Sequence, residues 1–191
     1  MTLTSPKTLS FKDRKSWRAW LSKNHAKQKE LWLVFYKKHT GKPTVSYEDA
    51  VQEALCFGWI DSTVRKIDEE RYMQLFTPRK TESNWSDLNK RRVKKLIEQG
   101  LMNKAGLRKI EEAKKNGSWK NLDAVEKLKV PPDLLKALSA NNNAKKIFES
   151  LSPSRKKQFL WWIASAKTEV TRKKRIAETV RLIGENRMLG M

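Results

Sequence analysis

Cysteine is almost missing from this chain: 191 residues include one, Cys56. A single thiol forms no intramolecular disulfide, so cross-links hold nothing together and a reducing compartment is the expected setting. Histidine is nearly as scarce. His25 and His39 share no ligand spacing with each other or with Cys56, so no zinc site of the usual tetrahedral kind is expected, and no metal or cofactor is implied. Glycine and proline number seven and six, and no low-complexity tract or fixed-period repeat occurs. No run of eighteen apolar residues is present, which excludes a membrane-spanning helix. The opening MTLTSPKTLSF holds no apolar stretch of signal-peptide length. With the lone thiol, this leads to the expectation of a cytoplasmic protein.

Acidic residues are half as numerous as basic ones, 21 against 42, and the net charge is +21. Such a field attracts nucleic acid, anionic headgroups or acidic proteins, and says nothing about fold. Against that charge stand eight tryptophans and a 38% hydrophobic share, enough for one ample core or two small ones and too rich for a disordered chain. The charge is uneven. Residues 1–78 hold 14 basic and 9 acidic side chains, while residues 79–191 hold 28 and 12, so the second stretch carries most of the field.

Ser10 to Asn24 reads as a first helix, with Ser10 as N-cap and Asp13 in the first turn. ELWLVFYKK, Glu30 to Lys38, is aromatic and branched and ends at Thr40-Gly41, which reads as a strand covered on both faces. Ser46 opens a second helix whose Tyr47, Ala50, Val51, Ala54 and Leu55 share one face, and Gly58 stops it. Trp59 to Ile67 and Arg71 to Thr77, parted by Asp68-Glu69-Glu70, read as an antiparallel hairpin. Helices are predicted over 86–99, 104–116, 133–139, 144–150, 152–167 and 168–184. The expected class is α+β: a small antiparallel sheet of about three strands with packed helices, followed by an all-α C-terminal module. NGSWKNLDAVEKLKVPPD, 116–133, marks the boundary, giving an α+β domain with basic helices over 1–120 and a helical module over 121–191.

The hairpin brings two motifs together. With the turn centred near Asp68 and Glu69, Asp61 opposes Phe76 and Trp59 opposes Pro78, so CFGWID lies beside TPRK. The next helix starts at Ser83 or Ser86, and its Asn89 shares the inward side with Val93 and Leu96. A helix N-terminus with Arg79 and Lys80 just upstream suits a carboxylate or phosphate. The functional reading is therefore a small anion pocket walled by Trp59 and Trp85, with Asp61 orienting Arg79, and with Ser83 and Asn89 contributing. The plainer reading of the same residues is structural: an Asp61–Arg79 ion pair, two core indoles, and an asparagine that ties down the loop.

A second candidate is nucleic-acid binding by Lys90, Arg91, Lys94 and Lys95 on one helix and Lys173 and Lys174 on the last. Glutamates break these runs, and no helix-turn-helix, zinc-finger or RNP pattern accompanies them, so a solvated basic face is the plainer reading. Among the tryptophans, Trp161 departs from the apolar face of its helix and is expected to be partly exposed. No catalytic residue stands out. Gly-x-Ser-x-Gly and phosphate-loop patterns are absent, and Cys56 ends an apolar helix without an evident base, as a packed thiol would. An enzyme at the same cleft would need a strongly perturbed titratable group near Asp61.

ALCFGWID (54–61), FTPRKTESNWSDLN (76–89) and FESLSPSRKKQFLWWIASAKTEVTRKKRI (148–176) together resemble the bacterial YdeI/OmpD-associated family, often called bacteriocin-protection proteins, from about Trp17 to Gly184. Val170 stands where the resemblance leads one to expect an acid, with Glu169 before it. The resemblance implies a role in resistance to bacteriocins or antimicrobial peptides, without reaction or cofactor. Its front half is similar to small α+β folds that include frataxin-like proteins, but the acidic ridge required for iron is absent. A cationic protein is poorly suited to capture cationic peptides, so the implied partner is an anionic small molecule or an acidic protein.

Overall fold

Six consecutive apolar residues, Leu31–Tyr36, form the second strand of the fold, β2, and around it the first half of the chain is organised. The structure is a computed structural model that describes residues 8–190. The chain divides into two compact units, Met1–Trp119 and Lys120–Met191.

The first unit contains β1 (Thr8–Ser10), α1 (Arg14–Asn24), β2, a 3-10 turn at Lys38–Thr40, α2 (Tyr47–Cys56), β3 (Trp59–Lys66), β4 (Arg71–Pro78), α3 (Asp87–Glu98) and α4 (Lys104–Lys115). The sheet order is β1-β2-β4-β3. β4 runs antiparallel to both neighbours and β1 runs parallel to β2. Leu31, Leu33 and Phe35 face the core beside Trp17, Leu21, Ala50, Ala54 and Phe76. Side chains alternate along a strand, so Trp32 lies on the other face, where the Arg65 guanidinium covers its ring at 4.6 Å. Phe35 stacks on its cross-strand partner Tyr72 at 5.0 Å. The uninterrupted apolar run is thus accounted for on both faces.

The sheet has one more strand than the sequence announces, and that strand is parallel. β1 is three residues long with a single half-buried side chain, too short to show a period; it exists because Thr8, Leu9 and Ser10 find ladder partners in Trp32, Leu33 and Val34. This also moves the start of the first helix. Ser10 is occupied in the strand, and the N-cap is Asp13, whose carboxylate accepts from Ser16 N–H at 2.7 Å while Ser16 Oγ lies 3.4 Å from Asp13 N.

α2 begins as expected at Ser46, whose hydroxyl accepts from Asp49 N–H. Its last residue is Cys56, and the chain then turns at Gly58, φ +75°, a left-handed conformation favoured by glycine. α4 docks on this same turn. A Cβ on Gly106 would stand 2.3 Å from the carbonyl oxygen of Cys56, so the two helices approach to a distance only glycine allows.

The second unit contains α5 (Asp123–Glu126), α6 (Pro132–Ser139), α7 (Asn142–Ser150), α8 (Pro153–Ala164) and α9 (Glu169–Gly184). Asn141, Ser152 and Thr168 cap the three longest, and proline occupies the first turn of α6 and α8. Its core is separate, built on Leu134, Leu138, Phe148, Phe159, Ile163 and Ile183. Trp161 is 47% exposed, as its position on α8 predicts. Trp162 is half-buried with Arg175 5.4 Å from its ring.

Candidate functional site

The hairpin pairs Trp59 with Pro78 and Asp61 with Phe76, and an irregularity then shifts the register between Asp61 and Val64. Arg79 N–H donates to Gly58 O at 2.8 Å. CFGWID and TPRK therefore lie side by side. What they build differs from a two-walled pocket.

Arg79 is the centre. It is 4% exposed, its Nη1 donates to Asn84 O at 3.0 Å, and its guanidinium sits 3.9 Å from the ring centroid of Trp85. Its Nε is buried and has no hydrogen-bond partner. Burial pushes its pKa down to about 10, and the charge of Asp61 only partly opposes that. Trp85 is itself buried and rests on Trp119, ring centroids 5.0 Å apart. Ser83 N–H donates to Lys80 O and so tightens the loop that carries Trp85.

Two of the expected roles need correction. Asp61 does not pair with Arg79: its Oδ2 accepts from Tyr47 OH at 2.8 Å and from Gln74 Nε2 at 2.6 Å, because the buried Gln74 on β4 and the first turn of α2 reach it first. Asp61 acts on Arg79 through its field alone. Trp59 does not offer a free wall either. It is 1% exposed, its Nε1 donates to His25 O at 3.1 Å, and its ring meets Trp20 edge-on at 6.0 Å. It belongs to the packing of α1.

Asn89 is half-buried, its N–H donating to Ser86 Oγ and its Oδ1 accepting from Arg92 Nη1 at 2.8 Å. Arg92, whose side chain is only 10% exposed, also holds both oxygens of Glu48 on α2. That pair draws the Glu48 carboxyl down to about 2. Tyr47, held by burial and by Asp61, is pushed up to about 12. The result is a polar layer across β3, β4, α2 and α3 in which Tyr47, Glu48, Gln74 and Arg92 join the expected residues. Sequence reading missed these four. The one available signal was Gln74, an amide between apolar neighbours in a strand.

A second ionic cluster lies on α1 and α2. Glu53, 1% exposed, accepts from Arg14 Nε and Arg18 Nη1, both at 2.6 Å, and Arg18 also donates to Leu101 O. A carboxylate so buried is tolerable only when paired in this way. The adjacent Cys56 thiol is buried and pushed up to about 11, chiefly by that burial, which suits packing and not nucleophilic attack.

The basic run of α3 borders two depressions. Lys90, Arg91 and Lys94 line a groove of about 410 Å³ with Ile110, Lys114 and Trp119. Arg91 and Lys94 also border a cleft of about 540 Å³, where Lys95 joins them beside Glu48 and Gln52. On α9, Lys173 pairs with Glu169 at 2.9 Å, and both Lys173 and Lys174 are exposed. Among the described residues, no group of three or more His, Cys, Asp or Glu side chains is placed to hold a metal ion, and no helix is long and apolar enough to cross a membrane.

Residues 9–109 match the model of a family described as a domain of unknown function, DUF8412. The chain belongs to the DUF8412 family. Within this DUF8412 protein, residues 127–186 match a second family model, described as Bacteriocin-protection, YdeI or OmpD-Associated. The likeness seen over Trp17 to Gly184 is thus carried by the helical unit, while CFGWID and TPRK fall in the DUF8412 part. Searches of curated proteins and of solved structures each gave no match.

Proposed function

We propose that this is a non-enzymatic cytoplasmic binding protein, acting in resistance to bacteriocins or antimicrobial peptides, whose first unit recognises an anionic group at Arg79. One observation carries the reading: a guanidinium 4% exposed, with a buried Nε that has no partner and no described carboxylate bonded to it. An unpaired buried charge is costly, and an arginine fork is shaped to receive the oxygens of a carboxylate or phosphate. Trp85 holds the fork from one side, and Asp87–Glu98 starts close by in sequence with its first N–H groups. The match of residues 127–186 supports the physiological role, and the charge of +21 favours an anionic partner over a cationic peptide.

The test is thermal unfolding of the full chain in rising phosphate at constant ionic strength. Wild type should gain stability as RT ln(1 + [L]/Kd), about 2.7 kcal/mol at a hundredfold excess over Kd. Arg79→Gln should show no phosphate dependence, whatever its own melting point. No dependence in wild type, or equal dependence in both, removes the site. For the role, bacteria expressing wild type should survive a cationic peptide better than those expressing Arg79→Gln; equal survival rejects it.

A further inference from the structure

The groove between α3 and α4 combines cationic side chains with an apolar floor. Its charged lining residues are Lys90, Arg91, Lys94 and Lys114, with no acid among them, and Ile97, Ile110 and Trp119 complete it. Ile97 is 48% exposed, and Ile110 is buried beneath. Trp119 is half-buried, held by Trp85 at 5.0 Å, and the ammonium groups of Lys90 and Lys114 each lie 5.5 Å from its ring centroid. Arg91 already pairs with Asp87 at 3.2 Å.

We propose that this groove binds single-stranded nucleic acid, with a base stacked on Trp119 and the backbone phosphates held by Lys94 and Lys114. Three features select this occupant. A fixed indole beside an apolar floor offers a π-face, and stacking on it tolerates any base. A lining charged with one sign only calls for a partner bearing repeated negative charge, which a strand supplies at every nucleotide. At about 410 Å³, the groove falls in the size range of ligand sites and accepts a planar ring. The site does not depend on anion binding at Arg79. Lys95 and the α9 lysines lie outside it.

The experiment is fluorescence anisotropy of the full chain with a labelled oligothymidylate of about 12 nucleotides, a length within the site sizes of single-strand binders. Binding should weaken linearly in log–log salt, by a slope of about −0.7 per phosphate contact. Lys94→Glu with Lys114→Glu should make that slope shallower by about 1.4. Lys173→Glu with Lys174→Glu makes the same change of net charge on α9 and should leave the slope unaltered. Trp119→Ala should cost roughly tenfold in affinity, and Trp119→Phe should recover most of it. Overturning results are no binding, equal slope changes in the two lysine doubles, no difference between Trp119→Ala and wild type, or displacement by polyaspartate as efficient as by unlabelled oligothymidylate. The last would indicate an acidic-protein surface instead. Displacement by thymidine monophosphate at the same nucleotide concentration as the strand would likewise reject a strand-binding groove.

Discussion

Cys56 and Arg79 sit one at each side of the Gly58 turn, both buried, and burial pushes each toward its neutral form. For the thiol the shift is upward, to about 11, with desolvation as the first cause; for the guanidinium it is downward, to about 10. Since the thiolate is the reactive species, the native protein should react very slowly with a disulfide reagent at pH 8, and unfolded protein should react at the rate of a free thiol. Fast reaction of the native chain would contradict the packing of Cys56. Glu48 supplies a pH dependence of the opposite kind. Its carboxyl is lowered to about 2 by Arg92, so the stabilisation is fully present above the unfolded value near 4.5 and is lost as pH falls toward 2. Glu48 is half-exposed, with 52% of its side chain accessible, so solvent screens the effect. Melting temperature against pH should fall less steeply in acid for Glu48→Gln than for wild type. At this scale the sequence was only partly legible. Arg79, Trp85 and Asn89 were visible as polar or aromatic residues in odd places, whereas the partners of Asp61 were not, because Tyr47 and Gln74 come from different elements and meet only when the sheet and α2 pack.

Elements were easier to read where the chain marks its own ends. Ser46 and Ser86 cap α2 and α3, and the acidic turn closes the hairpin at Lys66–Tyr72, from where the shift between Val64 and Asp61 brings Trp59 to Pro78 and Asp61 to Phe76. Elements whose existence depends on a distant neighbour were not legible. β1 has no pattern of its own, and Gly106 looks like any glycine inside a helix until α2 is beside it. Its position makes a sharp prediction: Gly106→Ala places a methyl 2.3 Å from a carbonyl oxygen that cannot yield without moving α2. Overpacking of this sort costs about 3 kcal/mol, against the gain of up to about 1 kcal/mol that alanine otherwise brings to a helix interior. Chemical denaturation checks the sign; a variant as stable as wild type would mean that α4 does not dock as described. Trp119 was overlooked for a related reason. It follows Asn116-Gly117 in what reads as a linker, and only the packing of Trp85 reveals a use for it.

For the molecule as a whole, the two units carry separate cores, and each unit is matched by its own family model. The second unit buries Leu134, Leu138, Phe148, Phe159 and Ile183 without help from the sheet, and domains of roughly 60 residues do fold alone. Residues 120–191 expressed as a fragment should give a helical circular dichroism spectrum and a cooperative melt, and a broad, featureless melt would refute autonomy. The sheet of the first unit has a further consequence. β3 is an outer strand, yet its ladder is interrupted between Asp61 and Val64 and its free length carries Arg65 and Lys66. The opposite margin is closed by a strand of three residues. Short, kinked, cationic borders resist strand-to-strand docking between copies, so this chain is guarded against fibril growth even at concentrations where the exposed indole of Trp161 would otherwise promote clumping.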